Sequence, residues 1–495
     1  MSETQQTPLP SVGLRGYVLG CAVVAALGGL LFGFDTAVIS GAEGTLKEIY
    51  DVDYAKLGQL FGRPELVLTA EQVAGGMEGL TEQDLSYIQR KAFWHGLLVI
   101  GALIGTVIGA LLFGKPADRH GRRTILFVLG VLYFVSALGS ALAWNMISFA
   151  VFRFIGGLAV GGASVVSPMY VAEISPARFR GRLVALVQFN IVLGILLAYL
   201  SNFTIDGLGL DKFTLEWRWM FGVEAFPAAA FTLLLFLTPR SPRWLVAQRR
   251  IDEAKSVLDR VGTDSGSVEE EIGAIRASLD IEHHTLQEPF FCRKYFKPIM
   301  LAVMIAAFNQ LSGINALIYY TKRIFEMAGY GESAALGSSV GIGIVNLVFT
   351  MAALAVIDHF GRKKLMLVGS IGYILSLGAT AWAFYTNAGG IVVLISLIVF
   401  IASHAFGQGA VIWVFIGEVF PNRVRARGQA LGSFTHWIMA ALISQTFPMI
   451  AEVSGAHIFA FYAFCMVGQL IWVVLIMPET KGVPLEEIQK KLGIE

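Results

Sequence analysis

The sequence predicts an all-α membrane protein whose twelve transmembrane helices form two six-helix halves of the same orientation, a parallel repeat. Two observations carry this prediction: apolar segments of the length that a bilayer requires, and three motifs that each occur twice at nearly the same spacing. Hydrophobic residues make up 55% of the 495 residues and charged residues only 15%, with a mean hydropathy of +0.66. Soluble domains carry about 25% charged residues, so this composition excludes an ordinary soluble protein.

The predicted spans follow from length. A bilayer core of about 30 Å needs roughly 20 apolar residues per helix, and segments of that length fall into two groups of six. The first group lies near 16–40, 93–114, 124–144, 147–168, 183–203 and 218–238, and the second near 297–325, 334–357, 365–386, 389–416, 426–447 and 456–477. The first run exceeds the ~7–15 apolar residues of a signal peptide, so we interpret it as a retained span.

These spans divide the chain into an N-terminal half at 1–238, a linker at 239–296, a C-terminal half at 297–477 and a tail at 478–495. Within the linker, WLVAQRRIDEAKSVLDRV repeats apolar residues at helical spacing and predicts one amphipathic helix. The tail segment EEIQKKL predicts another short helix. The residues at 43–92 are predicted to form a long loop on the face opposite the linker.

Lysine and arginine collect in alternate short loops, which predicts the orientation of the chain. The basic loops are KPADRHGRR at 115–123, PARFRGR at 176–182, GRKK at 361–364 and PNRVRAR at 421–427. The alternate loops, 204–216 and 448–455, hold one lysine and none. Since basic loops stay in the cytoplasm, an even number of spans places both termini there as well.

Three motifs recur in the same order, which predicts that the two halves are homologous. DRHGRR at 118–123 returns as DHFGRK at 358–363, and PRSPRWL at 239–245 is echoed by PETKG at 478–482. Glu173-x6-Arg180 returns as Glu418-x6-Arg425. Three unrelated motifs repeated at nearly one period are typical of parallel-repeat membrane proteins, in which the substrate site lies near the bilayer midplane between the halves.

The motifs GKPADRHGRR, EISPARFRG, PRSPRWL, NQLSGINALIYY, DHFGRKK, EVFPNRVRARG and PETKG together resemble those of the sugar porter family of the major facilitator superfamily. The resemblance runs from about Gly28 to Gly482 and is strongest to bacterial sugar–proton symporters. It implies import of a monosaccharide, pentose or hexose, with a proton by alternating access across a bacterial inner membrane. The expected partners are the sugar, a proton and the bilayer. We expect a monomer that is not an enzyme, with no cofactor, metal or nucleic acid.

Polar and aromatic side chains interrupt the otherwise apolar spans, and by the resemblance they contact the sugar. Amides both donate and accept hydrogen bonds, as sugar hydroxyls do, and aromatic rings stack on the apolar face of a pyranose. The alternative for each amide is a hydrogen bond between helices. The implied sugar-binding residues are Phe32, Gln188, Asn309, Gln310, Asn315, Tyr319, Asn346, Trp413, His436 and Trp437.

The chain departs from the family pattern at four positions. Asn309 replaces a glutamine, and His436 replaces a glutamine or asparagine. We expect His436 to act as a neutral hydrogen-bonding substitute, the alternative being a charge that changes near neutral pH. Ala410 replaces a proline, which predicts a smaller bend in the tenth span. Arg240 replaces an acid, which predicts altered ion pairing in that segment.

Asp35, Arg153 and Glu224 are ionisable and lie within predicted spans, where an unpaired charge costs several kcal/mol. By the resemblance, Asp35 and Arg153 occupy the positions of the carboxylate–arginine pair of proton-coupled relatives, and Glu224 matches a further acidic position. Burial disfavours ionised Asp35 whereas Arg153 favours it, and protonation would release the arginine. The alternative is a static buried ion pair that holds helices together.

Charged residues also cluster at the predicted cytoplasmic ends of the spans. By the resemblance they form ion-pair networks that hold the halves together when the transporter opens outward. The alternative is basic loops with incidental counter-charges, since an exposed pair contributes only ~0–1 kcal/mol. The residues of this implied cytoplasmic gate are Asp118, Arg122, Arg123, Glu173, Arg180, Asp358, Arg362, Glu418 and Arg425.

Three other functions remain open at this point. A facilitative uniporter for the same sugars would keep Asp35 as a structural residue. A polyol or inositol transporter would use the same fold. A sugar sensor that binds without transporting is disfavoured, because sensor relatives carry long cytoplasmic tails and only 478–495 follow the last predicted span.

Overall fold

The computed structural model describes the chain over residues 16–50, 82–262, 267–285, 289–421, 423–451, 454–483 and 485–494. Within these ranges the side chains at 82–89, 177–178, 280–285, 358 and 485–486 are not described. Every regular element in the described ranges is helical. The predicted all-α class is confirmed.

Twelve long helical segments, named spans 1 to 12, follow one another along the described chain. Eleven of them are long and apolar enough to cross a membrane. Span 11 is the exception, because polar residues such as His436 and Gln445 lower its hydropathy. In order, the bounds are Gly16–Ile49, Glu82–Leu112, Arg122–Ala141, Met146–Ile174, Ala177–Asp206, Lys212–Leu237, 296–327, Glu332–Phe360, Arg362–Thr386, Gly390–Val419, Arg425–Ala451 and Gly455–Leu475.

The loop predicted at 43–92 is wrong at both ends. Span 1 continues to Ile49 and the helix of span 2 begins at Glu82, while 51–81 lie outside the described residues. The outer end of span 1 stays helical because neighbouring helices bury it: Glu43 and Leu46 are both buried. Tertiary packing there outweighs the polar character of the local sequence.

Span 7 is broken into three helices, Phe296–Leu311, Ile314–Tyr319 and Thr321–Met327. The first break falls at Gly313, whose φ of +84° lies in the left-handed region that glycine adopts at little cost. A Cβ on Gly313 would also lie 2.5 Å from the ring of Tyr462. The single continuous helix predicted for this segment is therefore wrong.

Spans 6 and 10 are irregular as well. Span 6 contains a π-helical turn, two short α-helices and a final 3₁₀ turn, with Glu224 at the junction of the two α-helices. In span 10, a π-helical turn at Ala405–Gly409 separates the helices Gly390–His404 and Ala410–Val419. The helix is thus interrupted immediately before Ala410, although the family proline is absent. Such π-helical turns occur frequently at functional sites.

The linker forms three helices, Pro242–Ala247, Ile251–Val261 and Val268–Thr285. The single amphipathic helix predicted there is wrong, because Arg249 has a φ of +60° and ends the first helix. The predicted apolar face of the second helix is buried at Ala254, Val257, Leu258 and Val261. The predicted tail helix is confirmed at Leu485–Leu492.

The packing follows the internal repeat. Span 3 packs on spans 4 and 6, and span 9 packs in the same way on spans 10 and 12. The main contacts between the halves join span 2 to span 11 and span 5 to span 8. In the internal repeat span 2 corresponds to span 8 and span 5 to span 11, so exchanging the halves turns one contact into the other, and the halves are related by a pseudo-twofold axis between them. The face that carries the linker helices is called the linker side, and the opposite face the outer side.

Two glycines let spans 1 and 5 approach closely next to Asp35. A Cβ on Gly33 would lie 1.9 Å from the carbonyl oxygen of Ile191, and a Cβ on Gly194 would lie 2.1 Å from that of Leu30. Any larger residue at either position would force the two backbones apart. Small residues of this kind allow helices to pack tightly in a membrane, where burial of apolar surface gives no driving force.

Candidate functional site

Seven predicted residues meet where the halves face each other, and they are named the amide–aromatic cluster. The rings of Phe32 and Trp437 lie 5.4 Å apart, which joins span 1 to span 11. His436 contacts Trp437 at 4.8 Å and Trp413 of span 10 at 5.2 Å between ring centroids. The members are Phe32, Asn309, Gln310, Asn315, Trp413, His436 and Trp437.

Gln310 is the centre of the polar part of this cluster and is fully buried. Its amide nitrogen donates to Asn309 Oδ1 at 2.9 Å and lies 3.2 Å from His436 Nε2. Its amide oxygen accepts a hydrogen bond from Asn315 Nδ2 at 2.9 Å. The break at Gly313 does not separate Gln310 from Asn315, so residues on two short helices form one polar surface.

Three predicted sugar contacts make no hydrogen bond or ring contact with this cluster in the described part of the chain. Tyr319 is buried beside Thr36, the residue that follows Asp35. Gln188 is half-buried on span 5, and Asn346 is buried on span 8, where Thr350 Oγ1 lies 3.4 Å from Asn346 Oδ1. In the described part of the chain, no hydrogen bond or ring contact joins Gln188 or Asn346 to the cluster.

Asp35 and Arg153 form a buried ion pair. Arg153 donates to Asp35 Oδ1 at 2.5 Å and to the Asp35 carbonyl oxygen at 3.1 Å, and both side chains are almost fully buried. The guanidinium also lies over the ring of Phe221, 5.4 Å from its centroid. Glu224 is buried within electrostatic range of both partners, and among the described residues no donor lies within hydrogen-bond distance of its Oε1. Glu224 is therefore a second carboxylate available to the same arginine.

On the linker side, the N-terminal half holds an ion-pair network around Arg122. Its side chain lies 2.8 Å from Asp118 Oδ1 and 2.9 Å from Glu173 Oε1. The Ser241 hydroxyl donates to Glu173 Oε2 at 2.5 Å. Two other predicted gate residues lie apart from this carboxylate. Arg123 donates to the carbonyls of Leu235 and Phe236, and Arg180 is exposed.

The C-terminal half repeats this arrangement. Arg362 makes a two-point contact with Glu418 at 2.8 and 3.1 Å, and the Thr480 hydroxyl donates to Glu418 at 2.6 Å, as Ser241 does to Glu173. Arg425 and Glu418 line one cavity of about 460 Å³ on this side, together with Trp413. The side chain of Asp358 lies outside the described residues. In each network, the arginine and its carboxylate partner belong to the same half.

A second charged network lies on the outer side and was not predicted. Glu43 of span 1 is 2.6 Å from His95 Nε2 of span 2 and 3.1 Å from Arg323 of span 7. The neighbouring Lys322 is buried and pairs with Glu332 of span 8, and its amide donates to the Ser40 hydroxyl. The opposite charges at the ends of spans 1 and 7 were the only feature of the sequence that could have indicated this network. Only the tertiary structure shows that these charges meet. These residues are named the outer network.

This arrangement is that of a secondary transporter. Two pseudo-symmetric six-helix halves meet at a polar cluster, and ion pairs lie at both faces. The chain matches the family described as "Sugar (and other) transporter" over residues 21–492 and belongs to that family. It is therefore a multi-pass membrane transporter rather than an enzyme, and the predicted family resemblance is confirmed.

Curated relatives and solved structures agree with this assignment. The D-xylose-proton symporter of Escherichia coli (strain K12) is 34% identical over 96% of this chain and 95% of its own. The arabinose-proton symporter of Bacillus subtilis (strain 168) is 33% identical over 96% of this chain and 95% of its own. A partially occluded inward-open structure of the E. coli xylose transporter is 33% identical, covers 95% of this chain and 100% of its own, and has a TM-score of 0.79.

Proposed function

We propose that this transporter imports a monosaccharide together with a proton by alternating access of its two halves. The observation that carries the proposal is that Asp35, the carboxylate of the buried pair with Arg153, lies on the same helix as Phe32 of the amide–aromatic cluster, one turn away from it. A sugar bound at the cluster would therefore act on the helix that carries the titratable carboxylate. The names of the xylose and arabinose relatives support a pentose or hexose as cargo.

The proton acts through Arg153. Protonation of Asp35 removes the charge that holds the guanidinium, and Glu224 provides an alternative partner in the same buried region. An arginine that exchanges between two carboxylates links span 4 alternately to span 1 and span 6. Such a two-state contact is what a coupled transporter needs, because the proton must favour one conformation over the other.

Each half moves as one body, 1–238 and 297–477, joined by the linker 239–296. The linker side is the cytoplasmic side, because the four basic loops and both ends of the chain are predicted there. The ion pairs of Glu173 and Glu418 regulate opening on that side, and the outer network does so on the other. The outer network joins span 1 to span 7 here, which is the contact that a closed outer side requires.

The symport proposal is tested directly by sugar-induced alkalinisation of the medium around energised cells that express the protein. We expect the external pH to rise when the transported sugar is added. Counterflow with a panel of pentoses, hexoses and polyols in vesicles identifies that sugar. Counterflow without alkalinisation would establish a uniporter, and counterflow of polyols alone would establish a polyol transporter.

Replacing Glu43 by glutamine is expected to loosen the outer side. Removal of one partner from a buried ion pair typically costs about 3–5 kcal/mol, and Glu43 faces both His95 and Arg323. Hydrogen exchange measured by mass spectrometry should then quicken at least about ten-fold in the helix Thr321–Met327. Glu48→Gln, an exposed position on the same helix, is the control. Equal exchange in both variants would contradict a gate at the outer network.

Replacing His436 by glutamine is expected to preserve sugar counterflow within about three-fold. A glutamine can still exchange hydrogen bonds with Gln310, as the His436 ring nitrogens can at 3.2 and 3.3 Å. The pH dependence of counterflow should be the same in the two proteins if His436 acts as a neutral group. A pH dependence present in the wild type and lost in the variant would show instead that His436 carries a charge during transport.

A further inference from the structure

A second cavity on the linker side has a chemistry that sugar transport does not use. It measures about 540 Å³ and lies where the start of span 1, the start of span 3 and the end of span 6 meet the first two linker helices. Of the residues that the structure describes, four arginines and one glutamate line it, an excess of three positive charges. This site is named the arginine cavity, and its charged residues are Arg123, Arg240, Arg250, Arg260 and Glu253.

The internal repeat shows that this positive charge is specific to the N-terminal half. In PETKG, the C-terminal counterpart of PRSPRWL, Glu479 follows the proline where Arg240 does in the N-terminal half. Glu479 accepts hydrogen bonds from the amides of Arg362 and Lys363 at 3.0 and 3.1 Å, at the start of span 9. At the start of span 3, no side chain among the described residues accepts a hydrogen bond from the amides of Arg122 and Arg123. The N-terminal half thus carries an arginine where the other half supplies its own anion.

Rigid contacts hold the arginines of the cavity in place. Tyr170 donates to the carbonyl of Pro239 at 2.7 Å, and Ser241 is bonded to Glu173, so the backbone on both sides of Arg240 is fixed. Arg240 and Arg250 both lie over the ring of Trp244, at 5.5 and 5.8 Å. Positively charged groups held close together in this way are preorganised for an anion, because their side chains are already ordered before the anion binds.

The positive charge of the arginine cavity is only partly neutralised by its own residues. Arg250 pairs with Glu253, and Arg260 stacks on the ring of Tyr17 at 4.4 Å. Arg123 is occupied by the carbonyls of Leu235 and Phe236 and keeps its charge. No carboxylate of the described chain pairs with Arg240. Planar guanidinium groups recognise phosphate oxygens with paired hydrogen bonds, which makes a phosphate the anion that suits this cavity best.

We propose that the arginine cavity binds the phosphate headgroup of an anionic phospholipid. Anionic phospholipids and soluble phosphorylated molecules both carry a phosphate ester. The rim of the cavity favours the lipid. Phe236 and Leu237, at the last turn of span 6, are 62% and 69% exposed and line the same cavity. They offer apolar surface to an acyl chain next to the phosphate. Basic pockets at the ends of transmembrane helices bind anionic headgroups in this way.

Native mass spectrometry of the purified protein, titrated with phosphatidylglycerol or phosphatidylcholine, tests the proposal. We expect one phosphatidylglycerol to bind about ten-fold more tightly than phosphatidylcholine, and Arg240→Glu to remove that preference. The matched control is Arg276→Glu, an exposed position on the third linker helix outside the cavity, which should keep it. Arg240→Gln, which removes the charge without reversing it, should give an intermediate loss and decides the test if Arg240→Glu does not fold.

Three results would overturn the proposal. Equal binding of the two lipids to the wild type would show that no anionic headgroup is selected, and equal loss in the Arg240 and Arg276 variants would show a general effect of charge. Displacement of phosphatidylglycerol by millimolar glycerol 3-phosphate would assign the cavity to a soluble phosphorylated molecule instead. Because the measurement records lipid binding, it is independent of whether the protein carries sugar or protons.

Discussion

Replacing Asp35 by asparagine is expected to abolish uphill sugar accumulation while sugar counterflow continues. A proton that moves down 100 mV supplies about 2.3 kcal/mol, enough for a roughly 50-fold sugar gradient. Asparagine cannot take up that proton, so the ratio of internal to external sugar should fall to about 1. The experiment measures both accumulation and counterflow in the same vesicles with an imposed membrane potential.

Counterflow should survive because the substitution leaves the amide–aromatic cluster intact. Arg153 loses its charged partner, but Glu224 lies within electrostatic range and can accept the guanidinium. Asp35→Glu, which keeps a titratable group, should restore part of the accumulation, and the exposed linker substitution Asp252→Asn should have no effect. Undiminished accumulation by Asp35→Asn would remove this residue from the coupling mechanism and leave the buried pair a structural one.

Replacing Gln310 by leucine is expected to weaken sugar binding by about 10- to 100-fold. Gln310 is fully buried and joins Asn309, Asn315 and His436 through one side chain. Leucine has nearly the same volume but cannot exchange hydrogen bonds with a sugar hydroxyl, and a hydroxyl left buried without a partner costs about 1–3 kcal/mol of binding free energy. Sugar sites built on hydrogen bonds discriminate strongly for the same reason. Equilibrium binding of the identified sugar to purified protein measures the effect.

The matched control is Gln469→Leu in span 12. Gln469 is also a fully buried amide, and it bonds to Gln408 and to Ser370 within the same half, away from the amide–aromatic cluster. We expect the two variants to lose similar thermal stability, whereas only Gln310→Leu loses sugar affinity. A parallel loss of sugar affinity in both would mean that Gln310 acts through folding of the C-terminal half rather than at the sugar.

Much of the fold could be predicted because its signals are local. Span length depends on runs of apolar residues, and both the tail helix and the buried face of the second linker helix appear as simple periodicity. The exceptions have physical causes that periodicity cannot represent. Gly313 divides span 7 because its backbone takes a positive φ beside Tyr462, and Arg249 divides the linker helix in the same way.

The contacts at the candidate sites likewise divide into those that the sequence predicted and those that it did not. The family resemblance implied that Asp35 pairs with Arg153, the cost of a charge in an apolar span gave the physical reason for a partner, and the structure places the two side chains 2.5 Å apart. The partners of surface charges were not predictable. Glu173 pairs with Arg122 and Ser241, whereas Arg180, its neighbour in the motif, is exposed. Spacing alone could not distinguish these arginines, since both follow the same basic pattern.

Hydropathy therefore predicted the membrane class, motif repetition predicted the two halves, and the resemblance of the motifs to those of a known family implied the family. Each depends on residues near one another or on motifs compared directly. The three-dimensional arrangement alone decided which distant charges meet. Glu43, His95 and Arg323 form the outer network from three separate spans, and Arg240 joins three other arginines around one cavity. Such contacts depend on how helices pack across the pseudo-twofold axis, and no local pattern of residues encodes that geometry.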